Sequence, residues 1–328
     1  METTPSSIPD DLQRAVDDFD STSDALLKQF ELEVEAKPIP KFCFHYTDDR
    51  GLAGILEDGT IRLCDVFHQN DPSELQHGLS TASVAIRSRI SDDKPELVRF
   101  ESGFERFRKN GGVESSAHYF VCSFSAESDD LGQWRAYAND GHGFALGFAT
   151  DVLEKSFVNS NPQTNGSSVS TFPITYDDDK LNLLQRELVG RLLVPLKLSM
   201  KLKSESEIWN QYMALLSSKY SVKVLMASIL FKHSAYRNEN EYRFLQVFVA
   251  NQPIPGLKFI RKPSVLKGYR DFNWRNSCPR ALRKIVIGPA TDRAKATRFV
   301  GDCLRAFVGH RSGVDIEYST IPYRTTSL

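Results

Sequence analysis

Short apolar runs that end in polar residues, spaced between stretches of helical periodicity, constrain this chain most. Lys41-Phe42-Cys43-Phe44-His45-Tyr46-Thr47, residues 118–125 and residues 241–250 are the clearest of these runs. Their content of Phe, Val and Tyr and their length read as strands. Residues 60–64, 143–149, 171–176, 257–261, 283–287 and 314–319 read the same way. Helical spacing of apolar residues marks 50–56, 73–90, 96–107, 131–138, 178–203, 205–233 and 293–308. Strand and helix interleave throughout, which predicts an α+β domain around a mixed, mainly antiparallel sheet.

Residues 1–37 are polar, with Leu12, Val16, Phe19, Leu26, Leu27, Phe30 and Leu32 near helical spacing, so one or two short helices are expected ahead of the fold. Residues 38–328 are read as a single α+β domain whose helical insertion covers about 178–233. Residues 159–170, rich in Asn, Ser and Gly, are expected to form a loop.

Charge excludes some function classes. The 328 residues carry 41 Lys plus Arg against 42 Asp plus Glu, so no global basic field points to nucleic acid. The five cysteines have no CxxC or Cys/His spacing, so they read as reduced thiols of the core rather than zinc ligands. No run approaches the ~20 apolar residues of a membrane span, and no basic and apolar leader is visible. The expected location is cytoplasmic, without a membrane partner.

Polar groups at strand ends are costly to bury unless they are partnered or used. Alternation puts His45 and Thr47 on one face of their strand and Tyr46 on the other. Glu241 and Arg243 share a face by the same rule, as an internal ion pair or as a site carboxylate and its neighbour; Glu239 and Asn240 are substitutes if the register slips by one. Ser123 and Ser125 share a strand face. Asn70-Asp71-Pro72-Ser73-Glu74 reads as a helix start that also offers free amides to an anion. Trp134 and Tyr137 lie three apart on one side of a helix, either packing it down or forming a wall for a planar ring.

Together with Gly51-Leu52-Ala53-Gly54-Ile55-Leu56, Ile285-Val286-Ile287-Gly288-Pro289 and Ser319-Thr320-Ile321-Pro322-Tyr323-Arg324, these motifs resemble, in order over about 41–324, a bacterial family called domain of unknown function 2971. That family implies no activity. A second resemblance is to ADP-ribosyltransferases, including those acting on DNA, in which the first strand carries His followed by Thr or Ser and a late strand carries the catalytic Glu. His45, Thr47, Gly59 and Glu241 are the matching positions, and Ser123-Phe124-Ser125 resembles the Ser-x-Ser strand of the class that begins with arginine.

This second resemblance implies an ADP-ribosyltransferase-like fold and an enzyme that uses NAD as co-substrate to modify a nucleic acid or protein in a bacterial toxin or phage-defence setting. Glu241 would hold a ribose hydroxyl and offset the oxocarbenium charge, with His45 on the adjacent hydroxyl. Tyr46, Thr47, Asn70, Asp71, Glu74, Ser123, Ser125, Trp134, Tyr137 and Arg243 would line the nucleotide site, and no metal is expected. His45, Thr47, Ser123 and Glu241 are therefore expected in one pocket. Two alternatives stand beside this reading: a non-catalytic module that senses a nucleotide, and a metal-dependent nuclease using His45, Asp71 and Glu74.

Overall fold

The computed structural model describes residues 8–68, 73–90, 94–112, 115, 117–161, 166–249, 252–260, 267–278, 280–309 and 313–323. The chain divides into two compact units, one of residues 1–36, 70–118 and 175–234, the other of residues 37–69, 119–174 and 235–328.

The first unit is helical. Its α1 (Asp10–Glu35) is one continuous helix of 26 residues where one or two short ones were expected. The reason is a stripe of Leu12, Val16, Phe19, Leu27, Phe30 and Val34, all buried, that runs its full length. Helices α3 (Ser73–Arg87), α4 (Pro95–Lys109), α7 (Asp178–Ser199) and α8 (Glu207–Ile229) complete the unit. Phe30 stacks on Phe231 with ring centres 4.9 Å apart. Three ion pairs tie α1 to α8: Lys219 to Asp20 at 2.6 Å, and Lys223 to Asp20 and Asp24 at 2.6 and 2.5 Å.

The second unit is built on a sheet. Strand β1 (Phe42–Thr47) is followed by α2 (Asp49–Asp58) and β2 (Thr60–Asp65). The Asp48 carboxylate caps α2 by accepting from the Gly51 amide at 2.7 Å, and Gly59 ends it in the left-handed region at φ 66°. Next come β3 (Ala117–Ser125), α5 (Leu131–Tyr137), β4 (Phe144–Ala149), α6 (Thr150–Ser160) and β5 (Ser167–Pro173). The remainder is β6 (Glu241–Val249), β7 (Lys258–Phe259), β8 (Gly268–Asn273), α9 (Trp274–Ser277), β9 (Leu282–Ile287), α10 (Arg293–Cys303) and β10 (Asp315–Tyr318).

Among the described residues, ten strands form one sheet in the order β10-β9-β4-β1-β3-β2-β8-β7, with β6 branching from β3 and β5 pairing with β6. β1 pairs antiparallel with β3 and β4, β2 with β3 and β8, β4 with β9, β5 with β6 and β7 with β8, while β10 runs parallel to β9, so the fold is the mixed, mainly antiparallel α+β type expected. Of the loop expected at 159–170, residues 159–160 belong to α6 and residues 167–170 to β5, while residues 162–165 lie outside the described residues. Ser and Thr hid the first residues of this strand because it pairs with β6 and is only partly buried, so no strong apolar alternation was required of it.

Candidate active site

Strand register decides which polar residues share a face. Cys43, His45 and Thr47 stand opposite Phe148, Leu146 and Phe144 of β4, and directly opposed residues point the same way. Those β4 residues and Cys43 belong to the large core, and the His45 ring meets Phe124 edge-on at 5.7 Å. Phe124 in turn lies 5.0 Å from Phe244, which packs with Tyr242, so Tyr242 and Phe244 face this same core.

The opposite face begins with Phe44, which stands across from Ser125. Phe44 and Tyr46 pack there in a second core with Trp134, Ala138, Ala145 and Val286. Alternation adds Ser123 on β3, and Glu241 and Arg243 on β6. The expectation of one pocket holding His45, Thr47, Ser123 and Glu241 therefore fails: the pleat sends His45 and Thr47 one way and Ser123, Ser125, Glu241 and Arg243 the other.

His45 is half-buried and faces this core. Burial pushes its imidazole below the usual value, opposed by a hydrogen bond with the Ser123 backbone. Thr47 packs against the first turn of α2, where a Cβ on Gly51 would fall 1.8 Å from its Oγ1.

Glu241 and Arg243 bind each other bidentately, Nε to Oε1 at 2.5 Å and Nη2 to Oε2 at 3.1 Å. They are 4% and 2% exposed, so the internal ion pair is the arrangement found. Such a pair persists because removing either member leaves the other charged and buried.

Around the entry to β6, the other polar residues form a latch. Asn240 sits in the left-handed region at φ 41° and donates from Nδ2 to Glu127 Oε1 at 2.9 Å, while its carbonyl accepts from Ala126 N. Ser125 Oγ donates to the Glu239 carbonyl at 2.7 Å and accepts from Glu127 N at 3.1 Å. The Tyr46 hydroxyl donates to the Glu127 carbonyl at 2.8 Å and accepts from Asp130 N at 3.2 Å. Asp129 accepts from Trp134 Nε1 at 2.7 Å, Ser319 Oγ at 2.6 Å and Thr320 N at 2.8 Å. Burial alone would raise the Asp129 carboxyl, but these bonds outweigh it and hold it below its ordinary value.

The latch leaves a smaller set facing solvent: Ser123, Glu127, Tyr137, which is 46% exposed, and the partly exposed Glu239, whose Oε1 lies 3.4 Å from the Tyr137 hydroxyl. Trp134 is fully buried and supports α5 from below, so of the expected aromatic wall only Tyr137 reaches solvent. Asn70 and Asp71 lie outside the described residues. So does the side chain of Glu74, whose backbone belongs to α3 of the helical unit. No group of three or more His, Cys, Asp or Glu among the described residues is placed to hold a metal ion.

Sequence reasoning missed Glu127 and Asp129 and held Glu239 and Asn240 in reserve. Their signal was present: Asn tolerates the left-handed region better than most residues, so Glu-Asn-Glu marks a sharp entry into a strand.

The family comparison falls on this same segment. Residues 133–244 match the model of a family described as a protein of unknown function (DUF2971). No curated protein and no solved structure matches the chain. The DUF2971 segment is narrower than the 41–324 span of the motif resemblance. It runs from α5 into β6, so it contains Trp134, Tyr137, Glu239, Asn240, Glu241 and Arg243, whereas Tyr46, Ser125, Ser319 and Thr320 lie outside it.

Proposed function

We propose that the protein is an ADP-ribosyltransferase-like enzyme that consumes NAD from the Ser123–Tyr137–Glu239 face of the sheet, without a role for His45. The observation that supports this reading is the division of labour between two neighbouring carboxylates. Glu241 is buried against Arg243 and fixes the start of β6, and Glu239 reaches the surface beside a tyrosine hydroxyl. In the reaction, the ribose–nicotinamide bond breaks with its electron pair leaving on nicotinamide, and a nucleophile of the acceptor, or water, attacks the same carbon. An oxocarbenium-like ribose lies between these events, and a carboxylate at Glu239 offsets its charge. Tyr137 offers an accessible ring for the nicotinamide to stack on. The acceptor class is a nucleic acid or a protein.

The closed Glu241–Arg243 pair favours a second reading, a non-catalytic module that senses a nucleotide, because a neutralised carboxylate contributes less to a cationic transition state. Nicotinamide release from NAD by the full chain separates the two. On the enzymatic reading, Glu239→Gln lowers turnover by about 10²–10³-fold with an unchanged melting temperature. Binding of NAD without nicotinamide release identifies the sensor.

A further inference from the structure

Among the described residues most inward positions of the sheet are apolar, and besides His45 and Thr47 of β1 two polar ones face each other. Along β6 the core-facing residues are Tyr242, Phe244, Gln246 and Phe248, and along β8 they are Gly268, Arg270 and Phe272. Gln246 and Arg270 therefore occupy places where alternation calls for hydrophobes. They are joined by a hydrogen bond from Arg270 Nη1 to Gln246 Oε1, and Gln246 Nε2 donates to Asn161 Oδ1 at 3.2 Å. Arg270 Nε donates to the Pro255 carbonyl at 2.7 Å, and the guanidinium lies over the Phe248 ring, 5.0 Å from its centre.

Among the described residues no carboxylate pairs with Arg270: its partners are one carbonyl, one amide and one ring. Burial pulls its pKa below the usual arginine value with no opposing negative charge. These side chains border a cleft of about 460 Å³, with Ser167 and Gln252 also on its wall. That size lies within the usual range for small-molecule sites, roughly 300–1,000 Å³.

We propose that this cleft binds a small molecule through a singly charged oxyanion group, a carboxylate or a phosphodiester, received by the free edge of the Arg270 guanidinium. One unpaired cation calls for a single negative charge, and the planar fork of arginine suits the paired oxygens of either group. The Gln246 and Pro255 bonds fix the fork and leave its remaining N–H donors for the ligand. The cleft is lined by residues other than Ser123, Tyr137 and Glu239, so this proposal stands apart from the NAD reading.

The test uses the full chain with ¹⁵N-labelled arginine side chains, titrated at constant ionic strength with acetate, dimethyl phosphate and chloride. The Arg270 Nε–H signal should shift saturably with acetate or dimethyl phosphate, at a midpoint at least about tenfold below that of chloride. Which of the two binds more tightly identifies the group. Arg270→Gln should abolish the saturable response in the remaining arginine signals, and Arg270→Lys should weaken it by about tenfold because the fork is lost. As a measurement independent of any variant's folding, either anion should slow phenylglyoxal modification of Arg270 in the native protein. Equal midpoints for all three anions, or modification of Arg270 at an unchanged rate, would overturn the proposal.

Discussion

At the residue scale, the largest energetic consequence belongs to Glu241. A near-isosteric Glu241→Gln leaves Arg243 buried with half of its pairing gone, and breaking a buried pair costs about 3–5 kcal/mol. The expected outcome is a clear fall in chemical-denaturation stability, with Glu241→Gln/Arg243→Met recovering part of it; an unchanged unfolding midpoint for the single variant would mean that the pair is not structural. His45 makes a pH prediction. Its imidazole titrates lower in the folded chain than its unfolded value of ~6.5, so between the two values the unfolded state binds more protons. Its contribution is therefore complete above pH ~6.5 and is lost as the pH falls from there through the folded value. His45→Phe should flatten the dependence of melting temperature on pH between about 7 and 5; an identical slope would show that another group carries it. Alternation along β1 was legible in the sequence, but the role of each face was not. Both faces of this strand are covered, by the large core on one side and the Trp134 core on the other, so burial does not mark either as the site.

At the scale of elements, capping and periodicity were readable because they are local. Asp48 and Gly59 bracket α2, and the stop at Gly59 takes the positive φ that glycine supplies at least cost. What escaped were pieces specified by distant partners: the first residues of β5, 167–170, by their pairing with β6, and β8 by its pairing with β2. Close approach of helices is equally invisible in a single sequence. In the helical unit, a Cβ on Gly78 of α3 would lie 1.9 Å from Ser228 Oγ and 2.3 Å from its Cβ on α8. Gly78→Ala should therefore destabilise the unit by about 1–3 kcal/mol despite the better helix propensity of alanine. Thermal unfolding followed by circular dichroism measures it, and a stabilised variant would show that the two helices are not packed this closely. Phe30→Ala, which removes the stack on Phe231, should cost about 3–5 kcal/mol, read as earlier proteolytic cleavage within α1.

At the scale of the molecule, no helix among the described residues is long and apolar enough to cross a membrane, and the five cysteines are free thiols. Burial pushes the Cys43 thiol up to about 12 and the Cys122 thiol well above its ordinary value, which removes both as thiolate nucleophiles near neutral pH. The pleat places Ser123 and Glu241 away from His45, and Glu239 lies beside Tyr137 ahead of β6. The most direct test of this arrangement is nicotinamide release from NAD by the full-length chain, compared among the wild type, His45→Phe and Glu239→Gln, with melting curves for each. The predicted result is turnover that survives His45→Phe within a few-fold and falls by about 10²–10³ in Glu239→Gln at unchanged stability. A folded His45→Phe protein without turnover, beside an active Glu239→Gln, would contradict the assignment of the site to this face.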